Sequence, residues 1–326
     1  MEASFLKEVN EGAGVGDLHV RVAWAYYKEG LTQKEISERY GINRTKIYRL
    51  IQEARDEDIV NIDITHPDAN LLSLESELAE LYGLGDSLVV PYTPDEKIIK
   101  AMLGEAGAFY LRNKGRGFSS LGVSIGDTLQ SVAENFEPKE EQKEGDIEVV
   151  SLHGNLTGNI STTPYTIGNR IADKLDADFY TIWAPAIADT REAAEHFRSE
   201  PWVEKVLNMA GEVDLMLFGI GAMKTSPPYY KKLDLLSAEE LDDLRRRGAV
   251  ADLLGQFVDE NGKIIQSSTR DRMVSLPLER LRERDGTVGI AGGEEKFEGI
   301  RAALEGGYLS ALITDELVAR KLIEDG

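Results

Sequence analysis

Two hydrophobic periodicities divide the chain. Up to about residue 55 apolar positions recur at helical spacing, whereas from Asp86 onward short apolar runs alternate with amphipathic ones. In the first part, Thr32 is an N-cap and Glu35, three residues on, completes a capping box. Ile36 faces inward, and Ser37 is small where two helices must approach. Tyr40 closes the helix, and Gly41 supplies the positive φ of a tight interhelical turn. Asn43 caps a second helix whose buried side is Ile47, Leu50 and Ile51, at i, i+3 and i+4. An earlier apolar helix over 19–29, with Val20, Val22, Ala23, Trp24 and Tyr27, supplies the third element that such a unit needs for a core.

Residues 59–65 alternate apolar and polar and read as a strand of a wing-like ribbon. After Pro67 and Asp68, the leucines at 71, 72, 74, 78 and 81 mark an amphipathic connector helix ending at Gly83. Its stripe packs on the larger domain or on a partner subunit. Beyond it, strands at 87–90, 118–123, 147–152, 179–183, 213–219, 288–291 and 311–314 alternate with helices. These helices are at 95–113, 128–136, 165–175, 188–197, 202–209, 238–247, 294–304 and 316–323. Alternation on this scale predicts a mostly parallel sheet covered by helices on both faces. Residues 137–146 (EPKEEQKEGD) read as a charged surface loop, and 255–265, around Asp259-Glu-Asn-Gly262, as an inserted β-hairpin.

Charge changes this picture. The 326 residues carry 37 Lys+Arg against 58 Asp+Glu, a net of −21, which argues against a polyanionic partner if evenly spread. It is not: residues 18–55 hold eight basic and four acidic side chains, a net of +4, leaving −25 on the rest. The outer face of the second helix presents Arg44, Thr45, Lys46, Tyr48 and Arg49, donors and one aromatic where a helix enters a major groove. With Gln33 and Asn43 they form a candidate contact set for double-stranded operator DNA, on a helix-turn-helix spanning 33–52. There is no cysteine, which excludes disulfides, thiolate metal sites and cysteine nucleophiles. No apolar run approaches the ~18 residues that a membrane span needs, and the N-terminus shows no export signal. The expectation is a cytoplasmic protein with no membrane partner.

Candidate small-molecule chemistry lies where strands end. Turns at 122–128, 154–163, 219–221 and 291–296 each follow a strand, and ligands of open α/β sheets bind beyond those ends. Backbone N–H groups, Ser and Thr hydroxyls and Lys296 suit a phosphate group. Neither a Walker A pattern nor a full GxGxxG occurs, so no nucleotide cofactor is expected. The four histidines (His19, His66, His153, His196) are scattered and give no metal-binding spacing. Gly122-Val-Ser-Ile-Gly126 superficially fits a nucleophile elbow, but no histidine follows His196 to act as base. Asp252 and Lys296 leave open an alternative, a phosphosugar isomerase or lyase carrying a DNA-binding head.

Together these segments resemble the SorC family of bacterial sugar-responsive transcription regulators. The resemblance is carried by residues 33–52 with the trailing 55–60, by 122–128, by Gly219-Ile-Gly221 and by 248–252. The spacing from Gly289-Ile-Ala-Gly-Gly-Glu-Glu-Lys296 to Ile313-Thr-Asp-Glu316 is the most specific part. It implies a winged helix-turn-helix domain (1–65), a connector helix (66–85) and a DeoR-like effector domain (86–326) related to sugar-phosphate isomerases. It further implies a non-catalytic homo-oligomer, dimer or tetramer, controlled by a phosphorylated sugar. On that similarity Asp252 and Lys296 hold sugar hydroxyls or the carbonyl end. Ser124, Gly126, Asp127 and Thr128 contribute from the first turn, Gly292 from the last, and Asn155, Thr162 and Thr163 lie near a phosphate. Ile125 stands where the family often has a bulky aromatic. No arginine lies between Gly154 and Thr163, which favours a monophosphate over a bisphosphate.

Overall fold

The computed structural model describes residues 18–60, 69–114, 117–143, 147–155, 163–223, 235–282 and 284–326. The chain forms two compact units, 1–67 and 68–326.

The first unit holds three helices, α1 (Leu18–Tyr27), α2 (Gln33–Tyr40) and α3 (Arg44–Asp56). The capping box forms in full: the Thr32 hydroxyl accepts from the Glu35 N–H, and the Glu35 carboxylate accepts from the Thr32 N–H at 2.8 Å. Gly41 takes φ 63° and ends α2, and the Asn43 side chain accepts from the Lys46 N–H at 2.8 Å to start α3. Val22, Ala25, Ile36, Ile47, Leu50 and Ile51 make the core. Two expected core residues face outward instead: Val20 is 46% and Trp24 58% exposed. The inward stripe of α1 runs Leu18, Val22, Ala25, at i, i+4 and i+7, which turns positions 20 and 24 to the opposite side. Ile59 and Val60 lie outside any strand, and the rest of the expected wing, 61–65, falls outside the described residues.

In the second unit, α4 (Ala69–Tyr82) packs on β1 (Asp86–Val90) and on the C-terminal helix, with Leu74 and Leu78 buried. Its leucine stripe is narrower than expected: Leu71 joins the core, whereas Leu72 and Leu81 are exposed. There follow α5 (Glu96–Asn113), β2 (Ser120–Val123), α6 (Asp127–Asn135), β3 (Glu148–Ser151), α7 (Pro164–Leu175) and β4 (Asp178–Tyr180). Next come α8 (Arg191–Ser199), α9 (Pro201–Glu212), β5 (Leu215–Gly219), β6 (Gly221–Ala222) and α10 (Ala238–Arg246). The chain ends with β7 (Ala251–Leu253), β8 (Gln256–Val258), β9 (Thr287–Ile290), α11 (Phe297–Glu305), β10 (Ala311–Asp315) and α12 (Glu316–Asp325).

Seven strands form one parallel sheet in the order β1-β10-β9-β5-β2-β3-β4. Both faces are buried, so the central strands are continuously apolar and alternate residues feed opposite cores: Leu215 and Leu217 one, Met216 and Phe218 the other. From β2 the chain steps outward through β3 and β4, then returns to β5 and builds the other half. The order therefore reverses between β2 and β5.

Two local expectations change. Within 137–146, Glu140–Lys143 form a helical turn because Gln142 is buried, its Nε2 donating to the Leu111 carbonyl at 3.0 Å and its Oε1 accepting from the Lys139 N–H at 2.9 Å. The hairpin also starts earlier than expected, as β7 and β8 joined by a two-residue turn with Leu254 at φ 51° and Gly255 at φ 80°. The turn 259–262 follows it, closed by a bridge from Val258 to Ile264. With β6 these strands make a separate antiparallel sheet.

Ile51→Ala should destabilise the three-helix unit by roughly 2–5 kcal/mol and leave the unfolding transition of the 68–326 unit in place. Calorimetry resolving the two transitions checks this.

Candidate functional site

On the first unit, α3 turns Ile47, Leu50 and Ile51 to the core, which leaves Arg44, Thr45, Tyr48 and Arg49 exposed and Lys46 half-buried. Among the described residues Arg44 and Lys46 make no ion pair, whereas Arg49 Nε lies 3.2 Å from Glu53. Glu53 also meets His19 Nε2 at 3.0 Å. Asn43 is exposed but its oxygen is engaged as the cap, and Gln33 is half-buried at the start of α2. The face thus combines two unpaired cations with a phenol and a hydroxyl.

On the second unit, the loops after β1, β2, β3, β5 and β9 converge on a cavity of about 580 Å³ beyond the carboxyl ends of the strands, where the strand order reverses. Seven of the ten residues expected at a ligand border it: Ser124, Gly126, Asp127, Thr128, Asp252, Gly292 and Lys296. Asn155 and Thr163 do not. Asn155 donates to Thr181 and to the Ile182 carbonyl and accepts from the Tyr165 N–H, while Thr163 caps α7. Both side chains hold the fold together; Thr162 lies outside the described residues.

Asp252 and Lys296 both line this cavity and influence each other electrostatically. Burial pushes the Asp252 carboxyl from 3.8 up to about 7, against the Gly255 N–H (2.8 Å) and the nearby Lys296 charge, which both favour ionisation. Burial likewise pulls the Lys296 ammonium below its ordinary value, opposed by Glu295 and Asp252. Among the described residues the Lys296 ammonium has no hydrogen-bond partner and no carboxylate within 4 Å, so it stands as a donor toward the cavity. Among the described residues the second Asp252 oxygen receives no hydrogen bond; it accepts when the carboxyl is ionised and donates while the carboxyl holds its proton. Gly221 permits this approach, since a Cβ there would lie 2.9 Å from the Asp252 Cβ.

The loop carrying Lys296 is pinned by Asp315. This fully buried carboxylate accepts from the Gly293 N–H at 2.6 Å with one oxygen, and from the Leu317 and Val318 N–H groups with the other. It caps α12 and fixes the Gly292-Gly293 turn in one stroke. A Cβ at Gly292 would fall 2.6 Å from the same carboxylate, and Gly293 takes φ 96°. The sequence motif joining the glycine pair to Ile313-Thr-Asp-Glu316 is therefore a physical contact.

Among the cavity residues that sequence reasoning missed, two bear on its chemistry. Lys100, on α5, borders the cavity in ion pairs with Glu96 (2.7 Å) and Asp127 (3.4 Å). His153, just after β3, is wholly buried; its Nδ1 lies 2.8 Å from the Gly154 carbonyl and its Nε2 3.2 Å from the Ser124 hydroxyl. Lone residues on separate elements gave no spacing by which to find them. The imidazole that meets Ser124 comes from the segment just after the adjacent strand β3. A carbonyl, not a carboxylate, orients this imidazole, so the pair is no hydrolase triad. Among the described residues no group of three or more His, Asp or Glu could hold a metal ion, and no helix is long and apolar enough to cross a membrane.

Asp315→Ala strips acceptors from three backbone donors and should cost about 2–4 kcal/mol in denaturant unfolding. The pH dependence has a defined sign. Because the folded Asp252 holds its proton up to about pH 7 and the unfolded one does not, its contribution to stability falls as pH rises from about 4 to 7. His153, held down to about 4 by burial, acts oppositely up to about pH 6.5. The difference between wild type and Asp252→Asn isolates the carboxylate: the variant should gain relative stability as pH rises from 4 to 7, read as melting temperature against pH.

Comparison with known proteins follows the same division of the chain. The family model described as "Putative sugar-binding domain" matches residues 66–324. The erythritol catabolism regulatory protein EryD of Brucella abortus is 31% identical over 308 residues, 94% of this chain and 96% of that protein. The deoxyribonucleoside regulator of Bacillus subtilis is 30% identical over 310 residues, 94% and 97% of the two chains. Among solved structures, the full-length sorbitol operon regulator SorC of Klebsiella pneumoniae superposes with a TM-score of 0.72 at 27% identity, covering 95% of this chain and all of that one. These relatives are named as regulators and not as enzymes, which sets aside the isomerase or lyase alternative. The chain belongs to the SorC-type family of transcriptional regulators with a sugar-binding domain.

Proposed function

We propose that the protein is a sequence-specific, cytoplasmic DNA-binding regulator whose grip on operator DNA is set by a small phosphorylated sugar bound in the cavity of the second unit. The observation that carries this reading is the polar asymmetry of that cavity. An unpartnered lysine and a half-free carboxylate, placed at a topological switch point, match a polyol with a charged end. Asp252 takes sugar hydroxyls. Lys296, Lys100 and the N–H groups opening α6 at Asp127 and Thr128 favour the anionic end, because Gly126 leaves that helix without a side-chain cap. The engagement of Asn155 and Thr163 in the fold weakens the expectation of a phosphate beside them. A single phosphate agrees with the few cations present.

On the first unit, the proposal gives Arg44, Thr45, Lys46, Tyr48 and Arg49 to DNA, with Asn43 and Gln33 setting the approach of α3. Arg49 exchanges Glu53 for the nucleic acid. A homo-oligomer, dimer or tetramer, presents two such helices to half-sites about 34–36 Å apart. The −25 carried outside the basic segment confines contact to that segment and makes non-specific binding weak and salt-sensitive.

Arg44→Ala or Arg49→Ala should weaken binding to an operator selected from random DNA by about 1–3 kcal/mol where a base contact is lost, with the fold unchanged; fluorescence anisotropy measures it. Full affinity in both variants overturns the placement of α3. A thermal-shift panel of erythritol, sorbitol, ribose and deoxyribose with their phosphate esters tests the effector. A ligand at 100 times its dissociation constant adds about 2.7 kcal/mol, and Lys296→Met should abolish that gain.

A further inference from the structure

We infer that His153 locks the Ser124 hydroxyl as a hydrogen-bond acceptor toward the cavity, so that the effector must present a donating hydroxyl at that point. This rests on the cavity being the effector site, and it adds a rule about which ligands that site admits.

The argument follows one proton at a time. The Gly154 carbonyl can only accept, so at 2.8 Å the His153 Nδ1 must carry a hydrogen. The ring is wholly buried, and its only hydrogen-bonding neighbours among the described residues are that carbonyl and Ser124. No carboxylate is there to favour the imidazolium, and burial holds the ring neutral down to about pH 4. Its Nε2 therefore bears a lone pair, and at 3.2 Å the Ser124 Oγ–H must donate to it. A hydroxyl has one hydrogen. With that hydrogen given to His153, Ser124 meets the cavity with lone pairs alone.

Both partners are held in register. The Ser124 N–H donates to the Leu217 carbonyl of β5, and the His153 backbone is bridged to Ser275 and accepts from the Ser151 hydroxyl at 2.7 Å. Rotating the serine hydrogen toward a ligand would strand a buried imidazole nitrogen, which the fold penalises. Ser124 is thus a positioning group of fixed polarity. A sugar hydroxyl satisfies it, whereas a carbonyl, an ether or a phosphate oxygen brings lone pair against lone pair. The acceptor Ser124, the Asp252 carboxyl and the donor Lys296 then orient a polyol within the cavity.

The test has two readouts on the full-length protein. The first needs no ligand: two-bond proton–nitrogen correlation spectra of histidine-labelled protein at pH 7, with His153 identified by the signals lost in His153→Gln. The neutral Nδ1–H tautomer is expected; an Nε2–H tautomer or an imidazolium overturns the inference. The second uses erythritol 4-phosphate, sorbitol 6-phosphate and ribose 5-phosphate, each with its single-deoxy analogues. For the sugar that binds, one deoxy position should cost roughly ten- to hundredfold in affinity, and that cost should vanish in Ser124→Ala. Binding of a parent sugar with no deoxy position coupled to Ser124 overturns the inference. Failure of every sugar to bind overturns the effector reading instead, and the tautomer spectrum still decides the state of His153.

Discussion

The parallel sheet is the constraint from which the rest of this architecture follows. Parallel strands can be joined only by crossovers, and their two faces must both be covered. Every strand therefore ends on the same side, and the segments leaving those ends gather there. Where the chain departs from β2 one way and from β5 the other, the departing loops diverge and open a crevice. Ser124, Gly221 and the Gly292-Gly293 turn all stand at that crevice because each begins within two residues of the end of a parallel strand. The antiparallel β6–β8 sheet closes it from one side and delivers Asp252.

Within that frame the chemistry depends on a few buried polar contacts. Asp315 ties the terminal helix to the loop that bears Lys296, so the position of the lysine is set by the fold rather than by its own side chain. Gly221 brings a backbone against Asp252, and His153 fixes the orientation of Ser124. Not every such group serves stability: the raised Asp252 carboxyl costs stability at neutral pH. Their arrangement makes sense as a preorganised polar surface, which lowers the cost of ordering a small polar ligand.

Much of this was legible in the residues. The capping box at Thr32 and Glu35, the positive-φ Gly41 and the cap at Asn43 are short-range devices, and they appear where the pattern placed them. The strand–helix alternation likewise needs only local periodicity. What local pattern cannot reveal is how elements meet. Trp24 belongs to an apolar run, but the phase of α1 is set by the helices it packs on. Gln142 sits in a charged stretch, and only the approach of α5 shows why it is buried. His153 meets Ser124 because β3 lies beside β2, and Asn155 leaves the candidate site because its amide is taken by the segment after β4. The residues carrying a spaced motif, 289–296 with 313–316, were found; isolated partners on neighbouring strands were not.

The central claim is that the cavity and the DNA-binding helix belong to one regulated molecule. It is tested most directly by measuring affinity for a selected operator with and without a saturating sugar phosphate that stabilises the protein, at fixed salt. The account predicts a change of about five- to 150-fold, in either direction, and an equal change in sugar affinity when DNA is bound. A sugar that binds the cavity tightly while leaving the operator affinity unchanged would contradict it.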